Sequence, residues 1–580
     1  MTMRSSLGVI LGFLLVAPPG VWASDPVPAS RLPVSGSWSD SVGVSNGIPV
    51  YSTIYTTLTS SAGASQINAA LAACPASNVV FLSAGTYNLN SGIDFSKSYV
   101  VLRGATNSSG VPTTILNFTS MGGERGINIH QVNDSWDPEN PGQWTTVSVS
   151  SGIARGSGVV SLSGTPSGLS AGMIAWLSCP TNNLGLTGPP NGALFLGTDA
   201  FAQVVKITAV SGSTVTFTPP INADYLTTSA CRLSWRSANN TLHRSGVENL
   251  SLTRSAGSGW DYIILEGTDE CWVRNVEEYD LPFGNYGINV YMNYRTEIRH
   301  CDISHAETTS DSSSTYCILP LLTSGMLVED NVFHDFPNIM PMKGLGGSAF
   351  AYNCIDTLTY PANPNWLSQT VYFHGLHNHY NLFEGNFGVN HYSDGSDAPG
   401  NNPGNDSGAM NNLYFRERLA GWDPAGSSNP PGKTDNLYAF VSGKLMNYHM
   451  VVGCVLGKQG VHVRYFDNGT GQGDGIFWLH STITNTFIDI DNWNTVDNGV
   501  HAGTGLSAGQ ALVASYLHPS KPSWWGASQP WPPFGPEDAL SVTNTMSYTN
   551  IPAGYRYVNG VDPATTPITP PPTPAGLIAQ

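Results

Sequence analysis

The sequence predicts an all-β solenoid in which each repeat forms one coil of a parallel β-helix. The first observation is a short pattern that recurs through the second half of the chain: an apolar residue, two polar residues, a small or polar residue, and then apolar residues again. The copies begin 22 to 36 positions apart, a period typical of solenoids. The second observation is that each copy is rich in Val, Ile, Phe and Asn and lacks a long run of helix formers at 3.6-residue spacing. The copies begin at Val247, Val273, Ile298, Val328, Phe350, Phe383, Phe415 and Val451.

The repeat also predicts which side chains point into the coil. We expect the first, fourth and usually sixth positions to point inward and to stack on the same position of the next coil, while the second and fifth point outward. Asn331, Asn353 and Asn386 share the fourth position, so their amides are predicted to hydrogen-bond to one another along the helix axis. Cys301 and Cys454 share this inward position too, as buried thiols or as halves of a disulfide.

Three segments near the start of the chain add to the pattern. They are Gln66–Ala73, with helical character, and the extended segments Val79–Asn88 and Val100–Ala105. Together with the repeats, they resemble the pectate-lyase-like superfamily of right-handed parallel β-helices over residues 50–130 and 236–500. The resemblance implies a right-handed coil whose open end is capped by a short amphipathic helix. Because the catalytic motifs of polygalacturonases and pectate lyases are not found, the resemblance assigns no catalytic residue.

The 580 residues divide into six predicted parts. A basic start followed by an apolar run predicts a secretory signal peptide and a secreted protein, and no later run of about twenty apolar residues predicts a membrane span. The inserted domain has short alternating strands and serves either as a lid or packing element or as a sugar-binding module. The parts are a signal peptide (1–23), a lead-in segment (24–50), the capping helix with the first coils (51–131), a small antiparallel β domain (132–235), the main β-helix (236–500) and an aromatic, proline-rich tail (501–580) that covers the outer wall.

The formal net charge of −17 argues against nucleic acid or an anionic membrane surface as a partner. It also disfavours a polyanionic substrate unless basic residues are gathered locally. Such a gathering exists between Arg416 and Arg464, where basic side chains outnumber acidic ones, whereas acidic side chains dominate between Arg236 and Asp335. We expect a monomeric protein whose partner is a polysaccharide.

The first candidate site lies in a group of titratable side chains beside a long loop. His377 and His379 are two residues apart and would face the same way on a strand, where an imidazole can act as a general base or acid near neutral pH. Asp394 would be a partner carboxylate, Arg416 a clamp on a substrate carboxylate, and Lys343 an alternative base. The alternative interpretation is a set of polar turn residues that satisfy backbone groups.

Two further interpretations concern the same region. His391, Asp394 and Asp397 are candidate metal ligands, with Ca²⁺ as the cation considered. The column alignment also places Glu384 directly before Arg416 on the next coil, which predicts a ladder of alternating charge as an alternative to a substrate-binding Arg416.

The second candidate site is an acid pair. Glu277 and Asp302 share the outward fifth position on consecutive coils. Two carboxylates at that spacing repel, so one should hold its proton at neutral pH unless a cation lies between them. This arrangement suits either a glycosidase acid or a Ca²⁺ site, and the alternative is a pair of exposed carboxylates screened by water.

These observations predict a secreted protein that binds and cleaves a polysaccharide along the outer groove of the solenoid. The basic stretch beside the histidines favours a lyase of uronate polysaccharides slightly over a glycoside hydrolase, which would use the acid pair. The competing hypothesis is a non-catalytic carbohydrate-binding or adhesion protein, in which these side chains do not converge on one cleft.

Overall fold

The computed structural model describes fifteen stretches of the chain, and the predicted signal peptide lies outside them. The described residues are 24–119, 125–130, 144–179, 201–223, 231–236, 241–255, 261–281, 284–306, 315–360, 363–375, 378–393, 408–424, 432–467, 473–537 and 548–563.

The chain folds as the right-handed parallel β-helix that the sequence predicts. A typical coil contains the strands Glu297–Arg299, Asp302–Ala306 and Tyr316–Leu321. The next coil begins with Leu327–Glu329, which pairs in parallel with Glu297–Arg299 so that Val328 lies opposite Ile298. Each coil therefore contributes one strand to each of three parallel sheets that run along the helix axis.

The first and second sheets meet at a sharp bend. The first sheet contains Thr53–Leu58, Asn78–Leu82, Val100–Gly104, the starts of Gly246–Arg254 and Trp272–Leu281, then Glu297–Arg299, Leu327–Glu329, Ala349–Ala351, Leu382–Glu384, Leu413–Phe415, Met450–Val452 and Ile488–Ile490. The second contains Gly85–Leu89, Thr114–Phe118, the ends of Gly246–Arg254 and Trp272–Leu281, then Asp302–Ala306, Val332–Phe336, Cys354–Leu358, Phe387–Gly388, Arg418–Leu419, Val455–Leu456, Trp493–Asn494 and the antiparallel Gly499–Val500.

The third sheet closes each coil and is accompanied by short ladders. It contains Ile93–Phe95, Ile127–Ile129, Ile263–Glu266, Tyr286–Tyr291, Tyr316–Leu321, Met340–Met342, Val371–Phe373, His391–Ser393, Phe440–Ser442, Gly475–Leu479 and Arg464–Asp467. One short ladder pairs Leu242–His243 with Thr268–Asp269. In the other, Ala409–Met410 lies between Asn378–His379 and Met446–Asn447 and pairs with both.

The bend between the first two sheets has the same backbone conformation in each coil from Asn249 to Asp491. The residue at the third repeat position has a φ of 50° to 63° from Asn249 through to Asp491. This left-handed conformation suits Gly and Asn and is unfavourable for Tyr352 and Arg416, which nevertheless adopt it at φ 58° and 50°. Because the bend recurs at one place, the residues two positions later stand in line along the second sheet.

An asparagine ladder follows this bend on the inside, as predicted. Asn331 Nδ2 donates to Asn353 Oδ1 over 2.9 Å, and Asn353 Nδ2 donates to Asn386 Oδ1 over 2.9 Å. The Asn386 amide in turn donates to the Glu417 carboxylate. Each amide also bonds a backbone group of an adjacent coil, as when Asn353 Nδ2 donates to Val328 O over 3.0 Å. The ladder thereby fixes the register of successive coils.

Apolar side chains fill the coil interior. The N-terminal end is covered by a helix, α1 (Ala64–Ala73), which buries Ile67 and Leu71 against the core. Cys301 and Cys454 are buried free thiols in this core, which settles the two alternatives left open for them. Among the described residues, the disulfide present joins Cys179 to Cys231, outside the coils.

That disulfide lies in a closed antiparallel barrel of six strands. The barrel packs on the coil corner between the third and first sheets, where Trp176 contacts Tyr294 in one apolar cluster. Lys206 Nζ also forms an ion pair with Asp269 Oδ2 at 2.6 Å. The strands are Trp144–Ser151, Val159–Leu162, Ile174–Cys179, Phe201–Ser211, Thr214–Thr218 and Arg232–Arg236.

The first and last described segments of the chain cover the outer face of the first sheet. Trp38, on the N-terminal side after the 3₁₀ turn Ala29–Arg31, donates from Nε1 to Tyr380 O over 2.8 Å. From the C-terminal side, Trp525 and Phe534 are buried in the same apolar cluster. The chain then passes through the 3₁₀ turn Tyr548–Asn550 into a second helix, α2 (Pro552–Asn559). Within the described stretches, no helix is long and apolar enough to cross a bilayer.

The ladder predicts a stability effect at its centre. Replacing Asn353 by Ala removes both amide links and leaves buried polar groups of Asn331 and Val328 without partners, so the free energy of unfolding should fall by about 2–4 kcal/mol. Urea unfolding of the variant measures this.

The matched control is Asn88→Ala, because Asn88 accepts a 2.8 Å bond from Asn117 in an exposed asparagine pair. This change should stay within about 0.5 kcal/mol. Equal losses in the two variants would contradict a special role for the inner ladder.

Candidate functional site

The acid pair predicted from the repeat lies on adjacent strands of the second sheet. Glu277 and Asp302 are direct partners in the parallel pairing of Trp272–Leu281 with Asp302–Ala306. Both follow the left-handed bend by two residues, which turns them outward from the coil. Adjacent strands are about 4.8 Å apart, so the two carboxyl groups share one small region of the surface.

The Glu277 carboxyl group holds its proton more tightly than a solvent-exposed glutamic acid does. Burial, assisted by the negative charge of Asp302, raises the pKa of Glu277 to about 7. Glu277 is therefore largely protonated at slightly acidic pH, as the sequence predicts for one member of the pair. Glu277 can thus donate a proton directly beside a second carboxyl group.

A histidine on the next strand completes this row. His334 Nε2 is 3.6 Å from Asp302 Oδ1, and its Nδ1 is 2.8 Å from Asp335 Oδ2. Burial works against a positive charge on this ring, but the bonds to the two carboxylates outweigh it and raise the pKa of His334 to about 9. An imidazolium therefore lies beside Asp302 at neutral pH.

The C-terminal helix α2 forms one wall of the site through Arg556. Its guanidinium NH1 is 3.3 Å from Asp330 Oδ2 and 3.1 Å from Asp562 Oδ1. His300 joins the same network, with Nδ1 2.7 Å from Asp330 and Nε2 3.2 Å from Asp562. Burial disfavours ionisation of Asp562, but the bonds from His300 and Arg556 bring its pKa down to about 2. The wall is thus held by paired charges.

These groups line a cleft of ≈ 380 Å³ between the second sheet, the loop 109–112 and the residues 556–562. Glu277, Asp302 and His334 form its floor, and His300, Arg556 and Asp562 form its side. The sequence identified only the two acids. His334 lies two positions after the fifth repeat position of the next coil, so the repeat alone could have identified it. Arg556 is more than 200 residues from these positions in the sequence, and no sequence pattern connects it with them.

The first predicted group does not meet in this cleft. His377, Asp394 and Asp397 lie outside the described residues. His379 is buried at the barrel interface, where its ring centroid is 4.8 Å from that of Phe201. Of the two histidines predicted to act as a base, the structure therefore describes His379 alone, and its ring is buried against the barrel.

Lys343 and Arg416 lie in two other places. Lys343 follows the strand Met340–Met342, and its backbone bridges to Leu321 of the preceding coil. Arg416 is 3% exposed. Its Nε donates to Val513 O over 3.0 Å and its NH1 to Phe534 O over 3.1 Å, beneath the C-terminal segment. These bonds anchor that segment to the bend.

The predicted charge ladder between Glu384 and Arg416 is wrong. It takes Phe415 as the first residue of its repeat copy, whereas the structure has Tyr414 in that position. Glu384 pairs with Phe415, so this copy begins at Tyr414 and Arg416 occupies the bend. Glu384 instead accepts bonds from the hydroxyls of Tyr352 and Ser515 and, over 2.8 Å, from the Tyr516 amide.

Of the three candidate metal ligands, His391 is described, and it is buried in the interior of the coil. His391 packs edge-on against the stacked rings of Phe383 and Tyr414, at centroid distances of 4.9 and 4.6 Å, and is bonded to Glu417. No cluster of three or more metal-ligating side chains occurs in the part of the chain that the structure describes.

The residue next to the acid pair has the opposite environment. Glu278 points into the core with 1% exposure, and neither carboxyl oxygen has a hydrogen-bond partner among the described residues. A Cβ atom on Gly287 would lie 2.4 Å from its Oε2, so Gly287 provides the room for this side chain. Burial and the charge of Asp261 raise the pKa of Glu278 well above its usual value.

This burial predicts that Glu278→Met stabilises the protein. The folded pKa is raised, so wild-type stability falls as the pH rises above about 4.5, where the unfolded chain releases the proton and the folded chain retains it. The Met variant has no such loss, and its advantage should grow with pH to about 1–3 kcal/mol. Melting temperatures at several pH values measure it.

Glu278→Gln removes the titratable group but keeps a polar side chain. The stability of this variant should depend less on pH than that of wild type, and its gain in stability should be smaller than that of Glu278→Met. A Met variant that is less stable than wild type at every pH would show that Glu278 has partners that offset its burial.

Comparisons with known proteins concern the fold. No protein-family model matches the sequence, and no curated protein matches it. Among solved structures, the chain is similar to the tailspike protein gp49 from Pseudomonas phage LKA1, with 12% identity over 78% of this chain and 76% of that one and a TM-score of 0.45. The Pseudomonas phage phi297 tailspike gp61 matches at 12% identity over 74% of this chain and 66% of that one, with a TM-score of 0.41.

One enzyme structure has a similarly low sequence identity. Polygalacturonase from Erwinia carotovora has 13% identity over 77% of this chain and 98% of its own, with a TM-score of 0.30. Likeness at this level bears on the fold alone: the right-handed parallel β-helix that the resemblance implies is the fold of this chain.

Proposed function

We propose that this protein is a polysaccharide-cleaving enzyme that hydrolyses glycosidic bonds in the cleft containing Glu277 and Asp302. The observation that carries the proposal is the acid pair itself: two in-register carboxyl groups, one of which has its pKa raised to about 7. Glycoside hydrolases need such a pair, one acid to protonate the leaving oxygen and one carboxylate opposite it.

The roles follow from the two environments. Glu277 donates its proton to the glycosidic oxygen, and Asp302 faces the anomeric carbon, where its negative charge stabilises the oxocarbenium-like transition state. The strand spacing of about 4.8 Å resembles the separation of roughly 5–5.5 Å in retaining enzymes more than the larger one in inverting enzymes. Asp302 would then act as the nucleophile, and Glu277 would afterwards activate the water.

The positions of the alternative groups favour hydrolysis over the lyase reaction. A lyase would use His379 and Arg416, and both are buried. His379 contacts the barrel, and Arg416 contacts the C-terminal segment. A lyase also needs a cation to neutralise the substrate carboxylate, and the buried guanidinium of Arg416 is already bonded to two backbone carbonyls and to the Glu537 carboxylate.

Export belongs to the same proposal, because the basic and apolar start of the sequence has the form of a signal peptide. A polysaccharide outside the cell would be the substrate. A non-catalytic binding protein with the same scaffold would have no reason to hold a proton on Glu277 in an open cleft.

Removing either carboxyl group should abolish catalysis. Glu277→Gln and Asp302→Asn should each lower kcat by about 10²–10⁴-fold, because each takes away one half of the acid–base pair. The assay incubates the purified mature protein with neutral and uronate polysaccharides and follows both reducing ends and the ultraviolet absorbance of a new double bond.

Lys343→Ala and His379→Gln are the comparison variants, since a lyase would depend on them. A rise in absorbance that survives Glu277→Gln and disappears with the comparison variants would replace hydrolysis by elimination. No new reducing ends on a broad panel would favour the non-catalytic binding protein.

The pH dependence should identify Glu277 as the acid. Because Glu277 must be protonated and its pKa is raised to about 7, kcat/KM should fall as the pH rises above about 7. His334, with a pKa of about 9, titrates at higher pH than Glu277, and Asp562, with a pKa of about 2, is ionised throughout. A pH–rate profile for wild type checks this, and an activity that stays constant to pH 9 would contradict the assignment.

A further inference from the structure

We propose that the cleft is built for an uncharged polysaccharide rather than for a polyuronate. The inference deepens the proposed hydrolytic function and rests on it. Its basis is the sign and the pairing of the charges that surround the acid pair.

Carboxyl groups outnumber cations around the cleft. The lining carries three basic groups and three carboxyl groups, and two further carboxyl groups, Asp330 and Asp335, bind these basic groups from outside the lining. With Glu277 protonated, the surroundings still carry one more negative than positive charge. The whole chain adds to this potential, with a formal net charge of −17. The cations are His300, His334 and Arg556, and the carboxyl groups are Glu277, Asp302, Asp330, Asp335 and Asp562.

The cation best suited to a substrate carboxylate is already engaged. Arg556 NH1 lies between Asp330 and Asp562 at 3.3 and 3.1 Å, and NH2 donates to Asp330 O over 2.7 Å. A uronate is normally held by a guanidinium that offers two parallel donors. Here the fork is directed at the protein's own carboxylate and carbonyl groups.

The two imidazole rings are paired in the same way. His334 is shared between Asp302 and Asp335, at 3.6 and 2.8 Å. His300 is shared between Asp330 and Asp562, at 2.7 and 3.2 Å. A uronate entering the cleft would have to break one of these pairs or place its charge beside Asp302, well within the screening length of about 10 Å in 0.1 M salt. Sugar hydroxyl groups meet no such repulsion and can donate to the carboxylates.

The test uses matched substrates that differ only in charge. Each uronate polysaccharide of a panel is compared with its carboxyl-reduced form, which has the same linkages and no carboxylates, and reducing ends are followed with wild-type protein. The reduced form should be hydrolysed at least about tenfold faster at low salt, and added salt should narrow this ratio because it screens the cleft.

A charge variant ties the preference to this cleft. Asp562→Asn removes one negative charge from the wall, so the ratio of neutral to uronate hydrolysis should fall about fivefold, as expected for one charge a few ångströms from the substrate in water. The matched control is Asp435→Asn, an exposed aspartate four coils along the axis, roughly 19 Å away at the spacing of parallel strands, which should leave the ratio unchanged.

The outcomes test the preference for a neutral substrate separately from the proposed hydrolysis. Equal or faster hydrolysis of the uronate form, lost with Glu277→Gln, would overturn the neutral substrate and leave hydrolysis standing. If no pair yields reducing ends, the proposed hydrolysis fails. Binding by wild type then decides the inference: tighter binding of the reduced forms supports a cleft for neutral glycans, and equal or weaker binding overturns it.

Discussion

The register between successive coils is the constraint on which the rest of this structure depends. A parallel β-helix has no long-range covalent connection between coils, so each must be held opposite its neighbour by hydrogen bonds and by identical geometry. The left-handed residue at each bend from Asn249 to Asp491 and the amides of Asn331, Asn353 and Asn386 provide this. Once the register is fixed, residues at equal repeat positions become neighbours about 4.8 Å apart, however far apart they are in sequence.

The acid pair is a direct product of that register. Glu277 and Asp302 are 25 positions apart in the chain and adjacent in space because both occupy the fifth repeat position. A shift of one residue would exchange Glu277 for Glu278, which the present register turns into the core. The same strand therefore carries one carboxyl group that can exchange a proton with a ligand and another that cannot.

The repeat explains why the fold could be predicted and where the prediction of the site stopped. Spacing and inward positions were enough for the solenoid, the asparagine ladder and the neighbouring acids, since each depends on local periodicity. The copy near Arg416 was misaligned because Tyr414 and Phe415 are both aromatic and either can fill the first position. The pairing of Glu384 with Phe415 resolves the choice.

Other features depend on contacts that a single sequence does not reveal. The histidines around His379 look like a site because they are close in the chain, yet His379 and His391 are packed against aromatic rings. Arg556 reaches the cleft only because the C-terminal segment folds back over the solenoid. Its sequence neighbourhood gives no indication of a partner such as Asp330.

The most direct test of the account is a crystal structure of the Glu277→Gln protein soaked with a neutral oligosaccharide that the wild-type protein cleaves. The account predicts a glycosidic oxygen within hydrogen-bonding distance of the residue 277 side chain and an anomeric carbon facing Asp302. An oligosaccharide bound productively elsewhere on the solenoid, with this cleft empty, would contradict it.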